Sequence, residues 1–201
     1  MGVPQKAVAY IKPDEYLALE EKATTKHEYL DGVIYAWQGF VPEFMVGGSL
    51  AHNAVCFNVA VALREALRDS GCRVYMADAK LHIDAANAYF YPDIIVTCSP
   101  TDRPTIDAQV VREPSLIVEV LSNSTEAFDR GEKFTAYQRI TSLNYHLLVS
   151  QHGRRIELHA RDAHGLWQIR SLTSPARMVD GIKIGTTHVS IAIDEIFADV
   201  S

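Results

Sequence analysis

Two acidic residues stand inside segments whose neighbours are otherwise suited to burial. Asp93 follows a proline in YFYPDIIVTCSP, residues 89–100, and Glu119 interrupts the apolar run PSLIVEVLSNST, residues 114–125. Short β-branched runs bounded by Ser and Pro read as buried strands. A carboxylate there loses hydration unless it is paired, hydrogen-bonded or bound to a cation. One divalent metal would compensate both acids. Oxygen ligands from Asp93, Glu119 and the backbone carbonyl near Val120, completed by waters, suit Mg²⁺ or Mn²⁺. Strand alternation puts Glu119 on the face of Ile117 and Leu121, and Asp93 on the face of Ile95 and Thr97. The register decides whether those faces coincide. The plainer readings are backbone N–H bonds to Asp93 at a strand start and a buried salt bridge from Glu119 to Lys133 or Lys80.

A cation is available on FDRGEKFTAYQRI, residues 128–140. Lys133, Ala136, Tyr137 and Ile140 are spaced i, i+3, i+4, i+7, so Lys133 lies along the apolar stripe of a helix. There its ammonium can orient an attacking water or stabilise charge developing on a phosphate. The competing reading pairs it with Asp129 on an exposed helix edge. Lys80, in DAKLHI, is the second candidate lysine. Ser122 and Ser124 have no nucleophile-elbow context and read as turn or capping residues. No phosphate-binding glycine loop is present. His146, His152, His159 and His164 lack zinc-like grouping and are expected at the surface.

These side chains need elements to hold them. KPDEYLALEEKA predicts a short helix with acids in its first turn, and KHEYLDGVIYAWQGF a hairpin about Asp31-Gly32. A loop with Gly47 and Gly48 leads to Ser49, an N-cap, and to a helix over 49–70 that Gly71 ends. His52, Val55, Cys56, Val59, Leu63 and Leu67 share one side of it. Strands are expected at about 73–84, 91–97 and 115–121, then a helix near 126–141 and strands near 144–150, 154–160 and 166–172. THVSIAIDEIFADV adds a last apolar segment, and residues 99–114 read as a loop. Strands clustered about two amphipathic helices make the class α/β, or mixed α+β.

In order and spacing, HEYLDGVIYA, the helix opening on His52, YPDIIV, PSLIVEVLSNST, DRGEKFTAYQRI and LNYHLLV together resemble the Uma-two family of restriction endonuclease-like proteins, in the PD-(D/E)XK nuclease superfamily. The resemblance runs from about Tyr16 to the C-terminus. It implies a restriction endonuclease-like core, a central mixed sheet flanked by helices, with a metal held by Asp93 and Glu119. It implies that Glu28 approaches the metal or its waters, that His52 matches a family histidine at the start of the long helix, and that Tyr137 and Tyr145 match aromatic packing positions. By its type and place His52 reads either as a hydrogen-bonded neighbour of the loop or as a residue that tunes a pKa or positions water. The superfamily lysine belongs two residues after the strand glutamate, where this chain has Leu121; Lys133 is the implied substitute.

The 201 residues, 48% hydrophobic, are expected to form one domain over 1–201. A formal charge of -6 and a pI near 5.7 argue against broad electrostatic attachment to nucleic acid or membrane while allowing a local basic groove. The longest apolar run is too short for a membrane helix. Cys56, Cys72 and Cys98 are odd in number and widely spaced, which suggests no disulfide framework and fits a reducing cytoplasm. Two functions follow as expectations. One is a metal-dependent DNA endonuclease with Asp93, Glu119, Lys133, Glu28 and His52 at its site. The other is an inactive nuclease-fold module for nucleic-acid binding or assembly. A homodimer is expected in either case, since cutting a duplex needs two sites and the apolar C-terminal strands offer an interface.

Overall fold

Pro13 presets the φ of a first helical turn, and α1 (Pro13–Glu20) starts there, with the Glu15 carboxylate accepting the Lys12 N–H. The Asp31-Gly32 turn, both residues at positive φ, joins β1 (His27–Leu30) to β2 (Val33–Ala36). The structure, a computed structural model, describes residues 10–36, 49–103, 105, 109–123, 125–151, 153–172 and 177–200. The expected Gly47-Gly48 loop, residues 37–40 of the hairpin segment, Ser124 and His152 lie outside the described residues.

Ser49 caps α2 (Leu50–Ala66) as its type predicts, its hydroxyl accepting the His52 N–H at 3.1 Å. Val55, Cys56, Val59, Leu63 and Leu67 are buried along one side. The helix stops short of residue 70 because the N–H and hydroxyl of Ser70 both bond the Leu67 carbonyl, turning the chain before Gly71 arrives.

The expected strand over 73–84 is two strands. β3 (Arg73–Met76) belongs to a six-stranded sheet and β4 (Lys80–Ile83) to a five-stranded one. The same crossing recurs between β5 (Ala88–Phe90) and β6 (Ile94–Thr97), where Pro92 offers no N–H to a ladder. The two crossings touch, with Ala77 N–H donating to the Asp93 carbonyl at 2.9 Å. Asp93 therefore sits at the corner where the chain leaves one sheet for the other. The five-stranded sheet is completed by β7 (Val110–Val111), in the order β2-β1-β5-β4-β7.

The six-stranded sheet adds β8 (Pro114–Leu121), β9 (Tyr145–Ser150), β10 (Ile156–Arg161) and β11 (Trp167–Leu172), in the order β11-β10-β9-β8-β6-β3. Within this sheet, among the described residues, only β8 and β9 pair in parallel, so a crossover must connect them. The crossover is α3 (Glu126–Phe128), a π-helical turn (Asp129–Lys133) and α4 (Phe134–Tyr137). One face of this sheet, with Ile94, Val118 and Val120, packs on α2. The other, with Ile95 and Ile117, packs on Phe134 and Tyr137. The result is a mixed α/β fold with mixed sheets flanked by helices, as the sequence predicts.

Three expectations are corrected here. First, β12 (Met178–Ile184), which no strand expectation covered, pairs with β13 (Thr187–Ala192), and α5 (Ile193–Ile196) follows. Val179, Ile182, Ile184, Val189 and Ile191 are all within the chain's own core around α2. That apolar surface is consumed internally and no longer argues for a dimer interface. Second, Cys72 and Cys98, flanking the Arg73–Thr97 pair of adjacent antiparallel strands, form a disulfide, leaving Cys56 free. Sequence spacing hid this because the partners meet only through strand pairing. It also removes the cysteine argument for a reducing compartment. Third, His146 and His159 are buried opposite each other on β9 and β10, their Nδ1 atoms 3.4 Å apart. They sit on the face that Phe134 covers, with the Phe134 ring stacked on His146. His164 is exposed, as expected.

Candidate active site

β6 and β8 pair Ile94 with Val118, so one step outward Asp93 stands opposite Glu119. Each acid bonds the other's strand. The Asp93 N–H donates to Glu119 Oε2 at 3.3 Å, and Asp93 Oδ2 accepts the Val120 N–H at 2.7 Å. Alternation holds for Glu119, which shares the face of Ile117. It does not govern Asp93, because β6 begins only at Ile94. The Asp93 carboxylate instead turns to α2, with Oδ1 3.2 Å from Nε2 of His52. Backbone N–H bonding to Asp93, one of its plainer readings, is thus present alongside this histidine contact.

The crossover brings the lysine. Lys133 is 5% exposed and its Nζ lies 2.9 Å from Glu28 Oε1, 3.1 Å from Glu119 Oε1 and 3.2 Å from Asp129 Oδ1. The i, i+4 pair with Asp129 exists, but inside the protein rather than at an exposed edge. Glu28 is likewise buried, its Oε1 also accepting the Tyr91 N–H at 3.1 Å. Lys80 lies elsewhere. It lines a cleft with Glu20, Lys26 and Tyr91, its ammonium above the rings of Tyr16 and Tyr91, and among the described residues no ion pair joins it to Glu119 or Asp93. Leu121, at the superfamily's lysine position, is a buried apolar residue of β8.

Three participants were underread in the sequence. Tyr137, a packing position by the family resemblance, also donates its hydroxyl to Glu119 Oε1 at 2.6 Å. Asp129 joins the centre, and so does Cys56, whose Sγ lies with donor atoms of His52 and Asp93 within a span of 4.8 Å. The signal was present: Asp129, Lys133 and Tyr137 are successive i+4 steps, as are His52 and Cys56. Tyr145 stays peripheral, its hydroxyl accepting the Lys183 N–H.

The charges do not balance. Glu28, Glu119 and Asp129 are buried around a single ammonium, with Asp93 alongside. Burial drives the Glu119 carboxyl well above the usual carboxylate range; Lys133 opposes this, while Asp129 and Asp93 add to it. Glu28 is raised by burial too, against the pull of Lys133. Burial alone would lower Lys133, but Glu119, Glu28, Tyr137 and Asp129 together hold it firmly protonated. His52 is also opposed by burial, yet Asp93, by hydrogen bond and charge, leaves it above the ordinary imidazole value. The Cys56 thiol is raised by burial and by the charges of Asp93 and Glu119. Such an acid surplus retains protons or takes up a cation. The Asp93 and Glu119 carboxylates, joined through each other's strands, are hard oxygen donors of the kind a Mg²⁺-type ion takes, so these two residues fit such an ion.

The architecture is shared with a solved structure. A crystal structure described as "a putative nuclease belonging to DUF820", from Anabaena variabilis, superposes with a TM-score of 0.71 over 94% of this chain and 98% of that one, at 16% identity. The model of the Uma2 family, "Putative restriction endonuclease", matches residues 13–184, and the chain belongs to that family. Two uncharacterized proteins of Synechocystis sp. are similar: one is 35% identical over 96% of this chain and 95% of its own length, the other 34% identical over 79% and 85%. Among the described residues no helix is long and apolar enough to cross a membrane.

Proposed function

We propose that this chain is a Mg²⁺- or Mn²⁺-dependent endonuclease hydrolysing phosphodiester bonds in DNA, one domain carrying one site, and acting as a homodimer when both strands are cut. The observation that carries the reading is the buried surplus of carboxylates around Lys133, bordered by Asp93. Membership of the family and the nuclease-like fold support it.

Asp93, Glu119 and the Val120 carbonyl would hold the ion. When bound, a divalent cation polarises the phosphodiester and lowers the pKa of a water nucleophile. The protein's own groups do the rest. Tyr137 and Lys133 fix Glu119 Oε1, leaving Oε2, which the Asp93 N–H approaches, as the oxygen aimed at the corner. Glu28 and Asp129 keep Lys133 charged at that place, where its ammonium stabilises negative charge on a phosphoryl oxygen. His52 orients Asp93 and, once protonated, offsets part of the acid surplus.

The test combines Mn²⁺ titration calorimetry with cleavage of plasmid and single-stranded DNA. Wild type binds the ion and cuts, whereas Asp93→Asn and Glu119→Gln lose both properties. Lys133→Met retains binding but cuts about 10²–10⁴-fold more slowly, the range of a positioned catalytic group. No Mn²⁺ binding and no cleavage of any substrate would refute the proposal. DNA affinity indifferent to Glu119→Gln, without cleavage, points to the inactive binding or assembly module, a reading favoured by Leu121 in the lysine position.

A further inference from the structure

His52 and Cys56 are i, i+4 on α2 and project from one face, and that face meets Asp93. The three donor atoms lie within 4.8 Å of one another. Nε2 of His52 and Oδ1 of Asp93 are 3.2 Å apart. With metal–ligand distances of about 2.0–2.2 Å, two such donors subtend roughly 100° at a shared ion, near the tetrahedral angle. The Nδ1 atom of His52 is buried and has no hydrogen-bond partner among the described residues. Cys56 is the free cysteine and is 6% exposed. Imidazole, thiolate and carboxylate form a donor set for zinc-class ions, unlike the all-oxygen set on the Glu119 side of Asp93.

We propose that His52, Cys56 and Asp93 form a second cation site, selective for Zn²⁺ and related borderline metals, on the α2 side of Asp93. Three protein ligands leave a fourth position for water or a phosphate oxygen. Binding deprotonates the Cys56 thiol, so one proton leaves to solvent as the metal–sulfur bond forms. The site rests on the same Asp93 and His52 that the endonuclease reading uses, but on neither Glu119 nor Lys133, so either idea can fail alone.

The probe is Co²⁺ added to the full-length protein, followed by displacement with Zn²⁺. A sulfur-to-cobalt charge-transfer band in the near ultraviolet is expected, together with the intense visible bands of a tetrahedral ion. Cys56→Ser removes the charge-transfer band and weakens Zn²⁺ binding at least ~10-fold, since loss of even an outer-shell partner costs that much. His52→Gln, at a half-buried position, weakens Zn²⁺ to the same extent and serves if Cys56→Ser does not fold by circular dichroism. Glu119→Gln keeps the band while losing Mn²⁺ binding. Absence of the band in wild type overturns the proposal, as does a band that survives Cys56→Ser, which would then come from thiols freed by reduction of the Cys72–Cys98 bond. Loss of the Mn²⁺ response with the band intact sinks only the endonuclease reading.

Discussion

His146 shows how far a side chain's role depends on what surrounds it. It is fully buried, with Phe134 and Tyr137 rings on the crossover, His159 across the strand pair, and the charges of Lys133 and Arg130 acting on it. Glu157, paired to Arg130, lies beside His159. Burial, then the neighbouring His159 and the two cations, drives His146 well below the ordinary histidine value, and burial lowers His159 as well. Both bind fewer protons when folded than unfolded. Their contribution to stability is therefore present above the unfolded value near 6.5 and is lost as pH falls towards the folded values. Each adds a slope of up to about 1.4 kcal/mol per pH unit in that window. His146→Phe, which keeps the ring stack, should flatten the fall in the urea midpoint between pH 7 and pH 5. An unchanged pH slope would show that the pair does not titrate as buried neutral imidazoles.

At the scale of elements, the crossover between β8 and β9 is what assembles the charge centre. A parallel pair requires a connection across one face of the sheet, and the π-helical turn over Asp129–Lys133 directs both of those side chains inward at that face. π turns are rare and concentrate at functional positions, consistent with the three ion pairs Lys133 makes here. Gly131 is in the turn, is not at positive φ, and has open space where a Cβ would stand. Gly131→Ala should then stabilise the protein by about 0.4–1 kcal/mol by restricting the unfolded chain, leaving Mn²⁺ affinity unchanged. Thermal and urea melts check the first part and calorimetry the second. A loss of stability would mean that this turn requires glycine's freedom.

For the whole molecule, the corner between the two sheets is the organising feature. Both crossings pass through it, and β6 leads from Asp93 at the corner to Cys98 at its far end, where the disulfide ties it to β3. The bond closes a separation of 26 residues, which in the chain-entropy model stabilises by about 3.5 kcal/mol. Reduction, or the Cys72→Ala/Cys98→Ala pair, should lower unfolding stability by roughly that amount while preserving metal binding at the other end of the strand. Denaturation with and without dithiothreitol measures it; identical midpoints would show that the thiols are not joined.

The strand that follows Asp93, the strand bearing Glu119, the Ser49 cap, the buried stripe of α2 and the hairpin at Asp31-Gly32 were legible because each depends on local periodicity or turn chemistry. Lys133 was legible in part, since its place on an apolar helical stripe allowed either a partner inside or an exposed pair with Asp129. The choice of Lys133 over Lys80 beside Glu119, the inward ring of Glu28 and Asp129, the Cys72–Cys98 bond and the buried histidine pair required the folded chain. Each joins residues that only strand pairing or the crossover makes neighbours, and no spacing along a chain encodes which face of a sheet a distant helix will cover. The amino-acid order by itself determined which groups must escape water; tertiary packing decided which of them meet, because a buried charge is stabilised only by partners that arrive in three dimensions.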